Sequence, residues 1–156
     1  MANDVRRFID EFLGQKRIAF VGVSREPRSF SRTLFREFLK RGYDAVPVNP
    51  YAGELEGVAC AARVQDVQPP PDAALILTSR DATYQALVEC HAAGIRRVWL
   101  YGISGPRRVS SGALEFCAAQ NMDVVPGYCP FMFLPGTGLG HRLHGSVLKL
   151  MGTYPK

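Results

Sequence analysis

The segment Ile18 to Thr33, IAFVGVSREPRSFSRT, concentrates the side chains of this chain best suited to hold an anion. An apolar run breaks at Gly22 into a loop carrying Ser24, Ser29 and Ser31 together with Arg25, Arg28 and Arg32. Glycine at a strand end lets backbone N–H groups approach a ligand closely, and a helix starting near Ser29 or Ser31 would aim its positive dipole end at the same point. Arginine adds fixed charge in a fork that matches phosphate oxygens. The pattern predicts a phosphate cradle for a nucleotide or a nucleotide-bearing cofactor. The plainer alternative is a surface loop with solvated arginines.

Other chemistry-bearing side chains are sparse. His91 falls in the middle of a predicted helix, and no base pairs by spacing with the serines near Gly22, so no catalytic residue is assigned. Cys60, Cys90, Cys117 and Cys129 are scattered without a CxxC pair and read as reduced, buried thiols. His141 and His144 stand three apart and would share one helix face, but with Cys129 they match no strong zinc signature, and no metal is assigned. The apolar tail residues Phe131, Met132, Phe133 and Leu134 require cover: a sheet edge, a second copy in a homodimer, or the cofactor cleft itself.

At 156 residues and 47% hydrophobic content, the chain has the size and core of one domain. The sequence predicts a single domain over 1–156, with 127–156 as an extension packed on it. The N-terminus, MANDVRRFIDEF, is amphipathic and acidic rather than signal-like, and no apolar run reaches the roughly 18 residues of a membrane span, so the expected location is cytoplasmic. A net charge of +5 favours anionic partners. No basic tract is interleaved with aromatics, so neither a nucleic-acid surface nor a membrane partner is predicted.

The elements that must position the loop follow from periodicity. Asp4 to Leu13 reads as a helix with Val5, Phe8, Ile9, Phe12 and Leu13 on one face, capped by Asn3 or Asp4 and stopped by Gly14. Arg17 to Val23 reads as a strand, Ser31 to Arg41 as a helix ended by Gly42, and Tyr43 to Val48 as a second strand. A short segment near Val58 to Cys60 leads to the PPPD turn, which fixes the start of a third strand, Ala73 to Thr78, because proline has no place inside a ladder. Helices over Asp81 to Ala93 and Ser111 to Gln120 then alternate with strands over Arg97 to Tyr101 and Asp123 to Val125. This alternation predicts an α/β domain: a doubly wound, Rossmann-like, mainly parallel five-stranded sheet flanked by helices. Ligands of such sheets sit beyond the strands' carboxyl ends. The residues there are Gly22 to Ser24, Asn49 and Pro50, Thr78 and Ser79, and Tyr101 and Gly102.

The usual owners of this architecture fail on sequence. An NAD site would show GxGxxG and an acid at the end of the second strand, roughly 20 positions on. Here Gly22 is followed by Val23 and Ser24, and the second strand ends in Asn49 and Pro50; no Gly-Lys-Ser/Thr P-loop occurs either. The run VGVSREPRSFSRTLFREFLKRGYDAVPVNP, with Gly53-Glu54 and Glu56-Gly57 after it, instead resembles the small CoA-binding proteins related to the N-terminal Rossmann-like domain of the succinyl-CoA synthetase alpha subunit. The resemblance implies a site for coenzyme A or an acyl-CoA. It places the phosphates at Gly22, Val23, Ser24, Ser29, Ser31 and Arg32, and the rest of the cleft at Asn49, Pro50, Thr78, Ser79, Tyr101 and Gly102. Arg25, Arg28 and Arg32 compete for the 3′-phosphate, since Tyr51 and Ala52 stand where the synthetase relatives have a lysine.

The resemblance further implies a non-catalytic carrier, sensor or partner module, because synthetase chemistry needs a phosphorylatable histidine from a second domain. The alternatives are an NAD(P)-type oxidoreductase with a degenerate loop, and an interaction module that has lost its ligand.

Overall fold

Short apolar strands alternating with amphipathic helices build a five-stranded parallel sheet, seen in a computed structural model that describes residues 2–102 and 105–136. Helix α1 (Ala2–Leu13) precedes β1 (Arg17–Val21), α2 (Phe30–Lys40) and β2 (Asp44–Val48). A hairpin, β3 (Glu54–Leu55) and β4 (Val58–Ala59), leads to β5 (Ala73–Ile76), α3 (Arg80–Ala92), β6 (Arg97–Tyr101), α4 (Ser111–Ala119) and β7 (Asp123–Tyr128). The sheet order is β2-β1-β5-β6-β7, and every neighbouring pair runs parallel. Val21 lies opposite both Val48 and Ile76, so three carboxyl ends are flush. The order reverses between β1 and β5. Loops leaving these two strands diverge toward opposite faces and open a crevice between them.

Successive side chains of each strand serve opposite faces. On one face Ile18, Phe20, Leu75 and Trp99 meet Ile9 and Phe12 of α1 and Leu34, Phe35 and Phe38 of α2. The packing there is aromatic: Phe20 stands edge-on to Phe35 and Phe38 at centroid distances of 5.3 and 5.0 Å, and Phe12 to Trp99 at 5.3 Å. On the other face Ala19, Ala74, Ile76 and Leu100 meet Leu87 and Cys90 of α3 and Ala113 and Cys117 of α4. Each large side chain so buried stabilises the fold by about 1.5–3 kcal/mol relative to exposure. Burial pushes the Cys90 thiol up to about 12 and that of Cys117 to about 11, which keeps both protonated and inert.

Several boundaries differ from the sequence expectation for local reasons. Asn3 and Asp4 lie inside α1 rather than capping it. Strand β1 stops at Val21, because Gly22 turns away with φ +93° while its N–H still donates to the Val48 carbonyl at 3.1 Å. Strand β7 runs on past Val125 to Tyr128, whose carbonyl accepts from Trp99 Nε1 at 2.9 Å. Residues 127–134 therefore begin as sheet and end as core, with Tyr128, Cys129, Phe131 and Leu134 buried against α1 and α2. The chain's own core covers most of the aromatic tail run. His141 and His144 lie outside the described residues. Strand β3 has no sequence forerunner; a two-residue turn, Glu56 (φ +54°) and Gly57 (φ +77°), joins it to β4.

Candidate cofactor site

Gly22 is required where β1 meets β5. A Cβ at this position would stand 2.9 Å from Thr78 Cγ2 and 3.0 Å from the Thr78 nitrogen, so the two loops that bound the crevice touch through a missing side chain. Beyond Gly22 the loop is prearranged by its own hydroxyls. Ser24 N–H donates to Ser31 Oγ at 2.9 Å, Ser31 Oγ lies 3.1 Å from Ser29 Oγ, and Ser29 Oγ caps α2 by accepting from Arg32 N–H at 3.3 Å. The amides of Phe30 and Ser31 are left at the helix end, where no helical carbonyl reaches them.

Arg32 is the buried member of the arginine set, at 8% exposure. Its Nε and Nη2 donate to Glu56 Oε1 at 2.9 and 2.5 Å, and its Nη1 donates to the carbonyls of Ser24 and Arg25 at 3.4 and 3.1 Å. The guanidinium is thus spent on the loop backbone and on Glu56. A non-glycine residue at positive φ is unusual, and here the turn presents the Glu56 carboxylate to Arg32 and, at 3.0 Å, to Arg36. Burial works against the Glu56 charge, but bonds from Arg32 and Arg36 outweigh it and hold the carboxyl below its usual pKa. With the folded pKa depressed, this group's contribution to stability is present above the unfolded value, near 4.5, and is lost as pH falls through the folded one. Glu56→Gln is therefore expected to flatten the loss of thermal stability as pH falls below the unfolded value. An unchanged slope would contradict the pairing.

Asn49 ties the second strand end to the same loop. Its Nδ2 donates to the Val23 carbonyl at 2.8 Å, and its Oδ1 accepts from Tyr51 N–H at 2.8 Å. Both ends of the amide are occupied, so it holds the corner rather than standing where an acid would grip ribose hydroxyls. A cleft of about 570 Å³ lies here, lined by Ser24, Arg25, Glu26, Asn49 and Tyr51. The Arg25 guanidinium sits 6.0 Å from the Tyr51 ring centroid, and Tyr51 is 78% exposed. Arg25 and Arg28 are exposed, and neither forms an ion pair among the described residues.

A second depression, of about 110 Å³, lies beyond β5, β6 and β7, and Thr78, Tyr101 and Gly102 share its lining with Arg80, Arg108 and Ser110. Thr78, in contact range of Gly22, joins the two. Tyr101 also stacks on Phe30, the first residue of α2, at 4.6 Å between centroids. Among the described residues no group of three or more His, Cys, Asp or Glu side chains is arranged to hold a metal ion. No helix among them is long and apolar enough to cross a membrane.

The family model for the CoA binding domain matches residues 16–135, from the turn before β1 to the end of the buried tail. The chain belongs to that family. Within it, the chain is 28% identical over 128 residues to the alpha subunit of the acetate–CoA ligase (ADP-forming) II of Pyrococcus furiosus, covering 78% of this chain and 28% of the subunit. It is 34% identical over 73 residues to the uncharacterized protein YneT of Bacillus subtilis, covering 46% of this chain and 54% of that protein. The chain thus spans about a quarter and about half of these two relatives. A solved hypothetical protein from Pyrococcus horikoshii has the same fold at a TM-score of 0.70 and 22% identity, covering 83% of this chain and 87% of that one.

Of the residues singled out by sequence, Ser24, Arg25 and Asn49 line one cleft of this CoA-binding domain, Ser29 and Ser31 are linked to Ser24 by hydrogen bonds, Gly22 abuts Thr78, and Thr78, Tyr101 and Gly102 line the second cavity. Val23 is fully buried and offers its backbone alone. Pro50 is exposed at the turn after β2, and Ser79 at the start of α3 uses its carbonyl to accept from Ala82 and Thr83. His91, half-buried on α3, rests against Phe116 at 5.9 Å. Sequence reasoning missed the bridging role of Glu56 and the whole cavity wall formed by Arg80, Arg108 and Ser110. The pairing of Glu56-Gly57 as a hairpin turn was the available signal for the first; the second had none, since its residues lie far apart in the chain.

Proposed function

We propose that the chain binds coenzyme A or an acyl-CoA as a non-catalytic carrier, sensor or partner module. One observation carries this reading: at the sheet's switch point Gly22 meets Thr78 beneath a capped helix end, near two exposed arginines that form no ion pair among the described residues and with no carboxylate at the end of β2. The pyrophosphate is assigned to the loop amides and to the first turn of α2, where anions are favoured. Arg25 and Arg28 are assigned to the 3′-phosphate, and Arg32 to holding the loop. Tyr51 offers an exposed face beside Arg25 for the adenine. The pantetheine arm then passes Thr78 toward Tyr101 and Gly102.

Thermal unfolding with CoA, dephospho-CoA, NAD and ATP tests the proposal. CoA at one hundred times its Kd is expected to add about 2.7 kcal/mol of stability, with dephospho-CoA weaker and NAD without effect. Stabilisation by NAD in place of CoA would overturn it. Arg25→Ala and Arg28→Ala, at exposed positions, are expected to leave stability within about 0.5 kcal/mol and to weaken CoA more than dephospho-CoA. Equal losses for the two ligands would remove these arginines from the 3′-phosphate.

A further inference from the structure

The first turn of α2 is held from a second side by aromatic rings. Phe30 opens the helix between Ser29 and Ser31, whose hydroxyls accept from the Arg32 and Ser24 amides and so bind the helix end to the loop. Its own half-buried ring stacks on Tyr101 at the end of β6, with centroids 4.6 Å and planes 22° apart. The Phe131 ring meets it edge-on at 5.6 Å and 85°. Stacked and edge-on pairs are the favoured ring geometries and contribute beyond their buried area.

A register shift between β6 and β7 brings the third ring into place. Leu100 lies opposite Pro126 but Tyr101 opposite Tyr128, so Gly127 is the extra residue. One extra residue reverses the alternation of faces, which turns Tyr128 toward α1 and α2 and lets Phe131 reach Phe30. Phe131 is 6% exposed and belongs to the core, so Phe30 rests against a packed wall. Burial pushes the Tyr101 phenol up to about 12, and the ring facing Phe30 stays neutral.

We propose that Phe30 and Tyr101 are positioning residues for the anion cradle: their stack, backed by Phe131, sets the direction of the first turn of α2 and with it the placement of Ser29, Ser31 and Ser24. The proposal rests on the CoA reading above and adds to it the rings that hold the cradle in shape. A site already in its bound form binds more tightly, because the ligand has less order to impose. Phe30 lines neither cavity and Tyr101 only the second, so a loss of phosphate affinity on removing either ring has to pass through the helix.

Calorimetric titration with adenosine 3′-phosphate 5′-diphosphate, the CoA headgroup without its arm, tests it together with amide hydrogen exchange of the free protein. Phe30→Leu and Tyr101→Leu are each expected to weaken headgroup binding about fivefold, and the double substitution no more than the larger single loss, since one stack is removed in all three. Tyr101→Phe keeps the ring and should bind within about twofold of wild type. In both leucine variants the Ser24 and Arg32 amides, each bonded to a serine hydroxyl, should exchange about tenfold faster, while the Phe38 amide further along α2 keeps its rate. Unchanged headgroup affinity in the leucine variants, additive losses in the double variant, or exchange accelerated equally along the whole of α2 would overturn the proposal with CoA binding intact. Wild-type protein that binds neither CoA nor its headgroup would instead remove the CoA reading, and this proposal with it.

Discussion

Gly127→Ala is expected to destabilise the fold by about 3 kcal/mol, the combined cost of left-handed backbone for alanine and of overpacking. Gly127 sits in β7 with φ +70°, and a Cβ there would stand 2.3 Å from the Gly105 carbonyl oxygen and 2.6 Å from its carbon. These are backbone atoms, so no rotamer change relieves the clash. The same oxygen environment is locked by Gly105 N–H donating to the Gly127 carbonyl at 2.8 Å. Gly102 packs on the other side, where its own Cβ would meet Gly127 Cα at 2.9 Å. Chemical denaturation checks the value. Gly42→Ala is the control: its φ is +82° but nothing lies within 4 Å of the added methyl, so a loss of only about 1 kcal/mol is expected. Equal losses at the two positions would mean that backbone conformation alone, and not the close approach of β7 to the loop after β6, sets the cost.

Arg32→Ala is expected to cost about 2–3 kcal/mol and to weaken CoA and dephospho-CoA by the same factor. Removing one partner of a buried ion pair typically costs about 3–5 kcal/mol. The lower value is expected here because Glu56 keeps Arg36 at 3.0 Å and retains some solvent access. The carbonyls of Ser24 and Arg25 lose their donor at the same time, which frees the loop that the pyrophosphate needs ordered. Arg32→Lys keeps the charge without the fork and should recover part of the stability. A larger loss for CoA than for dephospho-CoA would place Arg32 on the 3′-phosphate itself. Unchanged stability in Arg32→Ala would contradict its role as the brace of the loop.

These two positions show where sequence reading is strong and where it stops. The loop was legible because Gly22, the serines and the arginines sit within a few residues of one another, and strand-end glycine has a local physical cause. What each arginine does was not. Arg25, Arg28 and Arg32 are equivalent on sequence; burial of the third depends on the side of α2 it occupies and on a hairpin that returns Glu56 to it from 24 positions later. On sequence the last strand ends at Val125 and Gly127 opens the C-terminal extension. Parallel pairing with β6 carries β7 onward to Tyr128, a long-range interaction that local propensity does not encode.

The sequence alone determined the alternation of strand and helix, the parallel sheet that follows from it, the anion-favouring loop after β1 and the absence of the residues an NAD site requires, because each rests on periodicity or on neighbours close in the chain. Tertiary structure decided which strands lie side by side, that Arg32 braces the loop while Arg25 and Arg28 remain uncommitted, and that Arg80, Arg108 and Ser110 share a cavity with Thr78 and Tyr101. Those outcomes depend on distances between residues far apart in sequence, and only the packed sheet sets them.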